Sequence, residues 1–177
     1  MVKKNASVFI SGEGSNLRSL IKNSRNYTFP VKISLIVTDN KNAIGIKYAK
    51  KYSIPYLIFK NSLISEKIIL NEHLKRKISI ICLAGFMKIL SRNFIANFKK
   101  KIVNIHPSIL PKYKGLNTYE RVLKNKEKFT GSTVHYVNEK LDSGKLILNK
   151  KFLIEPDDSI ETLTKKTKKI EHILFSK

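Results

Sequence analysis

The sequence predicts an α/β fold: a Rossmann-like, mostly parallel sheet flanked by helices, with an antiparallel extension towards the C-terminus. Three observations carry this. Short apolar runs alternate with helical stretches up to Ala84. One of those runs, Ile78 to Ala84 (ISIICLA), is apolar almost throughout, as a strand covered on both faces must be. Beyond residue 100 the spacing changes, and two strand-like runs follow each other with only a loop between them.

The elements follow in order. Ala6 to Ile10 (ASVFI) is a short apolar run ending at Ser11-Gly12 and reads as the first buried strand. Asn16 to Ser24 places Leu17, Leu20 and Ile21 at helical spacing. Val31 to Val37 is a second strand, closed by the turn-forming Thr38-Asp39-Asn40. Ala43 to Tyr52 is helical, Pro55 to Phe59 begins a third strand, and Ser65 to Lys75 is helical again. Ile78 to Ala84 is the central strand. Ile102 to Ile105 is a short strand running into a Pro-containing loop, His106 to Gly115. A helix over Thr118 to Lys126 precedes strands at Gly131 to Val137 and Leu146 to Ile154, separated by the loop Asn138 to Lys145. Pro156 to Ser159 is a helix start, with Ser159 as cap and the helix running from Thr162 onward. No repeat, linker or low-complexity tail interrupts the pattern, and residues 1–177 are expected to form one domain.

Composition narrows the function classes. No apolar run reaches the ~20 residues that a membrane span needs. The start, MVKKNASVFIS, is too soon interrupted to act as a signal peptide. The single cysteine, Cys82, excludes an internal disulfide framework and a multi-cysteine zinc site, and it reads as a small buried hydrophobe. The expected compartment is the cytosol. The formal charge of +22 raises the question of nucleic acid, since Lys and Arg displace counterions from phosphates. The excess is spread along the chain, is nearly all lysine, and is not interleaved with stacking aromatics. A solvated basic surface that steers anionic small substrates fits better, and nucleic acid is not an expected partner.

Four motifs could carry chemistry. SGEGSNL (Ser11 to Leu17) joins a strand to a helix, and the N–H groups of a helix start favour an anion such as phosphate; a plain turn with Ser15 or Asn16 capping the helix is equally open. AGFMKILS (Ala84 to Ser91) follows the central strand, where open parallel sheets hold ligands; it also reads as a strand end running into a helix with packed Phe86 and Leu90. NIHPSILPKYKG (Asn104 to Gly115) places an amide and an imidazole two positions apart, hence on one side of a strand. Asn can donate to a developing oxyanion and His can shuttle a proton near neutral pH, but the two could equally pin a loop. In Leu141-Asp142-Ser143-Gly144, Asp142 could orient an imidazole or could simply be a turn aspartate. His73, His135 and His172 have no metal-ligand spacing, no GxSxG elbow is present, and no metal is expected.

Taken together, the order and spacing of SGEGSNL, AGFMKILS, NIHPSILPKYKG and GSTVHYVNEKLDSGKLI resemble the folate-dependent formyltransferase family, and the first loop favours its phosphoribosylglycinamide formyltransferase (GAR transformylase) branch. The likeness runs from about Val8 to His172. It implies an enzyme that transfers the formyl group of 10-formyltetrahydrofolate to the amine of glycinamide ribonucleotide in purine (IMP) biosynthesis, by direct attack through a tetrahedral intermediate. It implies Asn104, His106 and Asp142 as the catalytic trio, with Asp142 raising the imidazole pKa. Gly14, Ser15 and Asn16 would bind the ribonucleotide phosphate and Glu171 the ribonucleotide. Lys67, Met87, Lys88, Ile89 and Leu90 would line the folate site, with Val137, Asn138, Glu139, Lys140 and Leu141. Lys67 is a substitute for an arginine of the family, Lys114 stands where proline or arginine is usual, and Asn117 where histidine is frequent.

The co-substrate implied is 10-formyltetrahydrofolate, with no metal and no redox cofactor. The partners implied are these two small molecules, with no membrane, and a monomer or homodimer. Two related activities share the trio. Methionyl-tRNA formyltransferase normally carries a further RNA-binding domain, for which 177 residues leave no room. Formyltetrahydrofolate hydrolase has a preceding regulatory domain, whereas here the catalytic fold is expected to begin by Ala6. A non-enzymatic basic nucleic-acid-binding domain is the alternative from a different class.

Overall fold

The computed structural model describes residues 2–60 and 62–177; Met1, part of the start read above against a signal peptide, lies outside the described residues. Seven strands hydrogen-bond in the order β3 (Tyr56–Ile58), β2 (Val31–Thr38), β1 (Lys4–Ile10), β4 (Ile78–Leu83), β5 (Lys101–His106), β6 (Phe129–Tyr136) and β7 (Leu146–Leu153). The chain divides into two compact units, residues 1–103 and 104–177, and the division falls within strand β5, Lys101–His106.

In the first unit, β1 (Lys4–Ile10), β2 (Val31–Thr38), β3 (Tyr56–Ile58) and β4 (Ile78–Leu83) pair in parallel. β1 lies at the centre because its run has no exposed face: Ala6, Val8, Phe9 and Ile10 are fully buried. The helices are α1 (Ser15–Ser24), α2 (Ile46–Lys51), α3 (Leu63–Lys75) and α4 (Arg92–Asn97). α1 turns Leu17, Leu20 and Ile21 inward, the stripe that the 3.6-residue period requires. The chain leaves β1 to build β2 and β3 on one side and returns to place β4 on the other. The space beyond the carboxyl ends of β1 and β4 is therefore the point where strand order reverses, the usual ligand position in such sheets.

In the second unit, the end of β5 is followed by α5 (Thr118–Lys124), then β6 (Phe129–Tyr136) and β7 (Leu146–Leu153), which pair antiparallel from Phe129↔Leu153 to His135↔Leu146. α6 (Ile160–Leu174) closes the unit. Ile170 and Leu174 of this helix pack on Ile105 and Val134. Its start is a capping box: the Ser159 side chain accepts from Thr162 N–H, and the Thr162 hydroxyl accepts from Ser159 N–H at 2.8 Å.

The expected α/β architecture with its antiparallel extension is what the chain forms, with local differences. α2 begins only after Gly45, whose N–H donates to Gly12 O at 2.9 Å and whose Cα lies against Gly14. α3 starts two residues before Ser65, capped by the Ser62 hydroxyl. The stretch after β4 runs as loop to Ser91 rather than turning directly into a helix, and α4 was not foreseen. α4 is held by a long-range bond: the buried Glu66 carboxylate accepts from Ser91 N–H at 3.2 Å and from its hydroxyl at 2.6 Å, while that hydroxyl caps the helix. Cys82 is buried as expected, and burial pushes its thiol pKa up to about 12. No helix among the described residues is long and apolar enough to cross a membrane.

Candidate active site

In the second unit, β5 alternation aims Asn104 and His106 to one side, and the β6–β7 loop brings Asp142 to both. Asn104 Nδ2 lies 3.3 Å from Asp142 Oδ1, and His106 Nδ1 lies 3.3 Å from Asp142 Oδ2. Residues read as separate motifs thus share one carboxylate. Gly115 N–H donates to Asp142 Oδ2 at 2.9 Å, so the loop after β5 also holds it. His106 and Asp142 are buried.

The turn that delivers Asp142 is tightly specified. Asp142 adopts φ +45°, a left-handed conformation that Asp tolerates better than most residues. Gly144 must be glycine, because a Cβ there would stand 1.7 Å from Tyr136 O. Lys114 Nζ donates to Ser143 Oγ at 2.5 Å, a second link between the two loops made by one of the residues that departs from the family pattern.

His135, not foreseen as a site residue, completes the cluster. Its Nε2 lies 3.1 Å from Asn104 Nδ2 and 3.5 Å from Asp142 Oδ1, and its Nδ1 lies 2.8 Å from Tyr136 O. The sequence signal was a histidine inside the otherwise buried strand run GSTVHY, a polar ring that needs partners.

Burial holds the His106 pKa below its ordinary value; the Tyr113 carbonyl and the Asp142 carboxylate push it up without overcoming desolvation. Asp142 thus pushes the imidazole pKa up as expected, while burial, which the motifs did not reveal, outweighs it. The Asp142 carboxyl is pushed up by burial but held below the usual range by the His135 ring, the Gly115 N–H and the imidazole charges. The ring of His106 is further defined by Nε2, 2.8 Å from Tyr113 O. A carbonyl can only accept, so Nε2 carries the hydrogen and the basic lone pair is on Nδ1, facing Asp142. Asn104 Nδ2 lies between His135 Nε2 and Asp142 Oδ1 and donates to the carboxylate.

The remaining expected site residues fall into three places. Gly14 caps α1 in a left-handed conformation (φ +71°), and a Cβ there would meet Gly45 Cα at 2.9 Å. The cap position of α1 is thus held by Gly14, which carries no capping side chain. The Ser11 hydroxyl accepts from Met87 N–H at 2.7 Å and Ser11 N–H donates to Gly85 O at 3.0 Å, which joins this loop to the Met87 segment within the first unit. Met87, Lys88 and Ile89 are exposed, Leu90 is buried, Phe86 packs edge-on against Phe9 and Phe59, and Lys67 is exposed on α3. In the second unit, Val137 is half-buried, Asn138, Glu139, Lys140 and Leu141 form the exposed hairpin loop, and Glu171 is buried in α6 near Tyr119.

The model of the formyl transferase family matches residues 4–177, across both compact units. A phosphoribosylglycinamide formyltransferase of Haemophilus influenzae is 37% identical over 177 residues, covering 97% of this chain and 84% of that protein. The crystal structure of phosphoribosylglycinamide formyltransferase from Brucella melitensis superposes with a TM-score of 0.92 at 36% identity, covering 99% of this chain and 93% of that one. The trifunctional purine biosynthetic protein adenosine-3 of Chironomus tentans is 37% identical over 182 residues, of which this chain spans only 13%. By sequence along nearly its whole length and by fold, the chain belongs to the formyl transferase family, among its phosphoribosylglycinamide formyltransferases.

Proposed function

We propose that this chain transfers the formyl group of 10-formyltetrahydrofolate to the amine of glycinamide ribonucleotide in purine biosynthesis. The observation that carries the reading is the meeting of Asn104, His106 and Asp142 around one buried carboxylate. The lowered His106 pKa makes the neutral ring the resting form. As the amine attacks the formyl carbon, a C–N bond forms and the carbonyl oxygen becomes an oxyanion. His106, or a water between it and Asp142, carries the proton that the amine releases to the departing folate nitrogen, whose bond to the formyl carbon breaks as the oxyanion collapses. Asn104 and the imidazolium stabilise the oxyanion, and Asp142 stabilises the imidazolium. General acid–base help of this kind is worth ~10²–10⁴ in rate. No covalent enzyme intermediate and no metal take part.

The uncapped start of α1 supports Gly14, Ser15 and Asn16 as the phosphate loop. Glu171 contacts the ribonucleotide. Exposed apolar Met87, Ile89 and Leu141 support a folate site that also uses Lys67, Lys88, Leu90, Val137, Asn138, Glu139 and Lys140. Residues 1–177 act as one cytosolic enzyme domain, monomeric or homodimeric, and the lysine excess gathers anionic substrates.

The test is to incubate the protein with 10-formyltetrahydrofolate and glycinamide ribonucleotide, methionyl-tRNA or water, and to follow formyl loss. Transfer to glycinamide ribonucleotide alone is expected. Transfer only to tRNA, or hydrolysis alone, would overturn the substrate assignment.

A further inference from the structure

We infer that Ser11 and Glu66 are positioning residues for the folate site: they clamp the two ends of the segment Met87 to Leu90, whose middle has no backbone pairing of its own. The inference rests on the function proposed above, but the clamps themselves are testable without activity.

The segment needs holding. Met87, Lys88 and Ile89 are exposed, and Lys88, Ile89 and Leu90 make no backbone hydrogen bond to another described residue. A stretch in that state opens at little cost unless something else fixes it. Side-chain packing does so only at its margins, where Leu90 is buried and Phe86 lies edge-on to Phe9 and Phe59. Met87 and Ile89 keep apolar surface in water.

The first clamp is Ser11. Its N–H donates to Gly85 O at 3.0 Å, a step beyond Ala84 N–H to Phe9 O at 2.8 Å, so the residue continues the pairing of β1 with β4. From the β2 side, Asn40 Nδ2 donates to Ser11 O at 3.3 Å. The Ser11 hydroxyl, thus placed, accepts from Met87 N–H at 2.7 Å, just past the turn at Gly85, where φ is +75°. The second clamp is Glu66, whose residue is 4% exposed. Its carboxylate accepts both hydrogens that Ser91 offers, from N–H at 3.2 Å and from the hydroxyl at 2.6 Å. One clamp stands on the central strand and the other on α3, beside Lys67. The four residues between them are set by these two elements. A segment already in place when folate arrives does not have to be ordered by it, and that saving appears as tighter binding.

Three measurements test this. In the ligand-free protein, the Met87 and Ser91 amides should exchange with deuterium roughly 3- to 10-fold more slowly than those of Lys88 and Ile89 relative to unstructured peptides, the worth of one net hydrogen bond. Met87 should lose this protection in Ser11→Ala; equal exchange from 87 to 91 would overturn the clamps whatever the enzyme turns over. Ser11→Ala should raise KM for 10-formyltetrahydrofolate by roughly 3- to 10-fold with kcat nearly unchanged, and Ser11→Thr, which keeps the hydroxyl, should recover most of it. An unaltered KM, or a folded Thr variant no better than Ala, would sink the role of Ser11. Glu66→Leu should raise the same KM, while Glu66→Gln, whose amide can still accept from Ser91 N–H, should stay closer to wild type. A Leu variant with unaltered KM, or a folded Gln variant no better than Leu, would remove Glu66 from the assignment; should the Leu variant not fold, exchange at the Ser91 amide decides that end.

Discussion

His73 sets an acid limit on stability that can be worked out from its surroundings. The ring lies on α3, buried, stacked on Phe9 at 5.9 Å and flanked by Phe94 and Phe98. Burial lowers its pKa from 6.5 to about 4, against smaller upward pulls from the Ile69 backbone and Glu72. The unfolded chain therefore binds the proton first. The stability that the neutral ring contributes is complete above the unfolded value and is lost as pH falls from 6.5 towards 4. At 1.36 kcal/mol per pKa unit, the shift of about 2.5 units (6.5 less 4) is worth about 3 kcal/mol in full, most of it already lost at pH 4.5. Against a total of ~5–15 kcal/mol this is a large fraction. His73→Phe keeps a flat ring in the aromatic group and removes the titration. Urea unfolding followed by far-UV circular dichroism at pH 7 and pH 4.5 should show the wild-type protein losing about 2–3 kcal/mol more than the variant. Equal losses in the two proteins would refute the assignment of the acid limb to His73.

Three further outcomes follow from other parts of the molecule. Because neutral His106 is the acting base, kcat/KM should fall with acid through a pKa below 6.5; Asp142→Asn, which removes an upward pull on that pKa, should shift this limb to lower pH and cut kcat by about 10²-fold or more, measured as formyl transfer across pH. Gly144→Ala should disrupt the Asp142 turn, since the new methyl cannot coexist with Tyr136 O, and both the melting temperature and activity should drop. Ser159→Ala should cost about 1 kcal/mol by removing half of the α6 capping box, read as a shift in the urea midpoint.

Local patterns made the main elements legible, because burial imposes its own period on strands and helices. The apolar run at Ile78 and the stripe Leu17, Leu20, Ile21 needed no distant partner to be recognised. α4 did, since its start depends on Glu66, 25 residues away in sequence, accepting from Ser91. Of the site, the pairing of Asn104 with His106 was legible from strand alternation. The motif resemblance drew in Asp142. His135 was not, because it acts through tertiary neighbours 31 and 7 positions away. The net direction of the His106 pKa was likewise hidden, as desolvation depends on the whole shell around the ring and not on the one carboxylate that the motif supplies.

The left-handed backbone at Asp142 has a bearing on which residues the position can accept. Among side chains able to accept hydrogen bonds there, only aspartate and asparagine are short enough to occupy that conformation readily. Glutamate would keep the charge and lose the fit; alanine would lose both, and its effect would mix strain with missing chemistry. Asparagine changes the charge while keeping both the peptide path and a side-chain acceptor; glycine keeps the path and removes the side chain altogether. The turn thus acts as a filter on mutation: changes to asparagine or glycine leave its course intact, and longer or branched side chains disturb the loop before they reach the reaction.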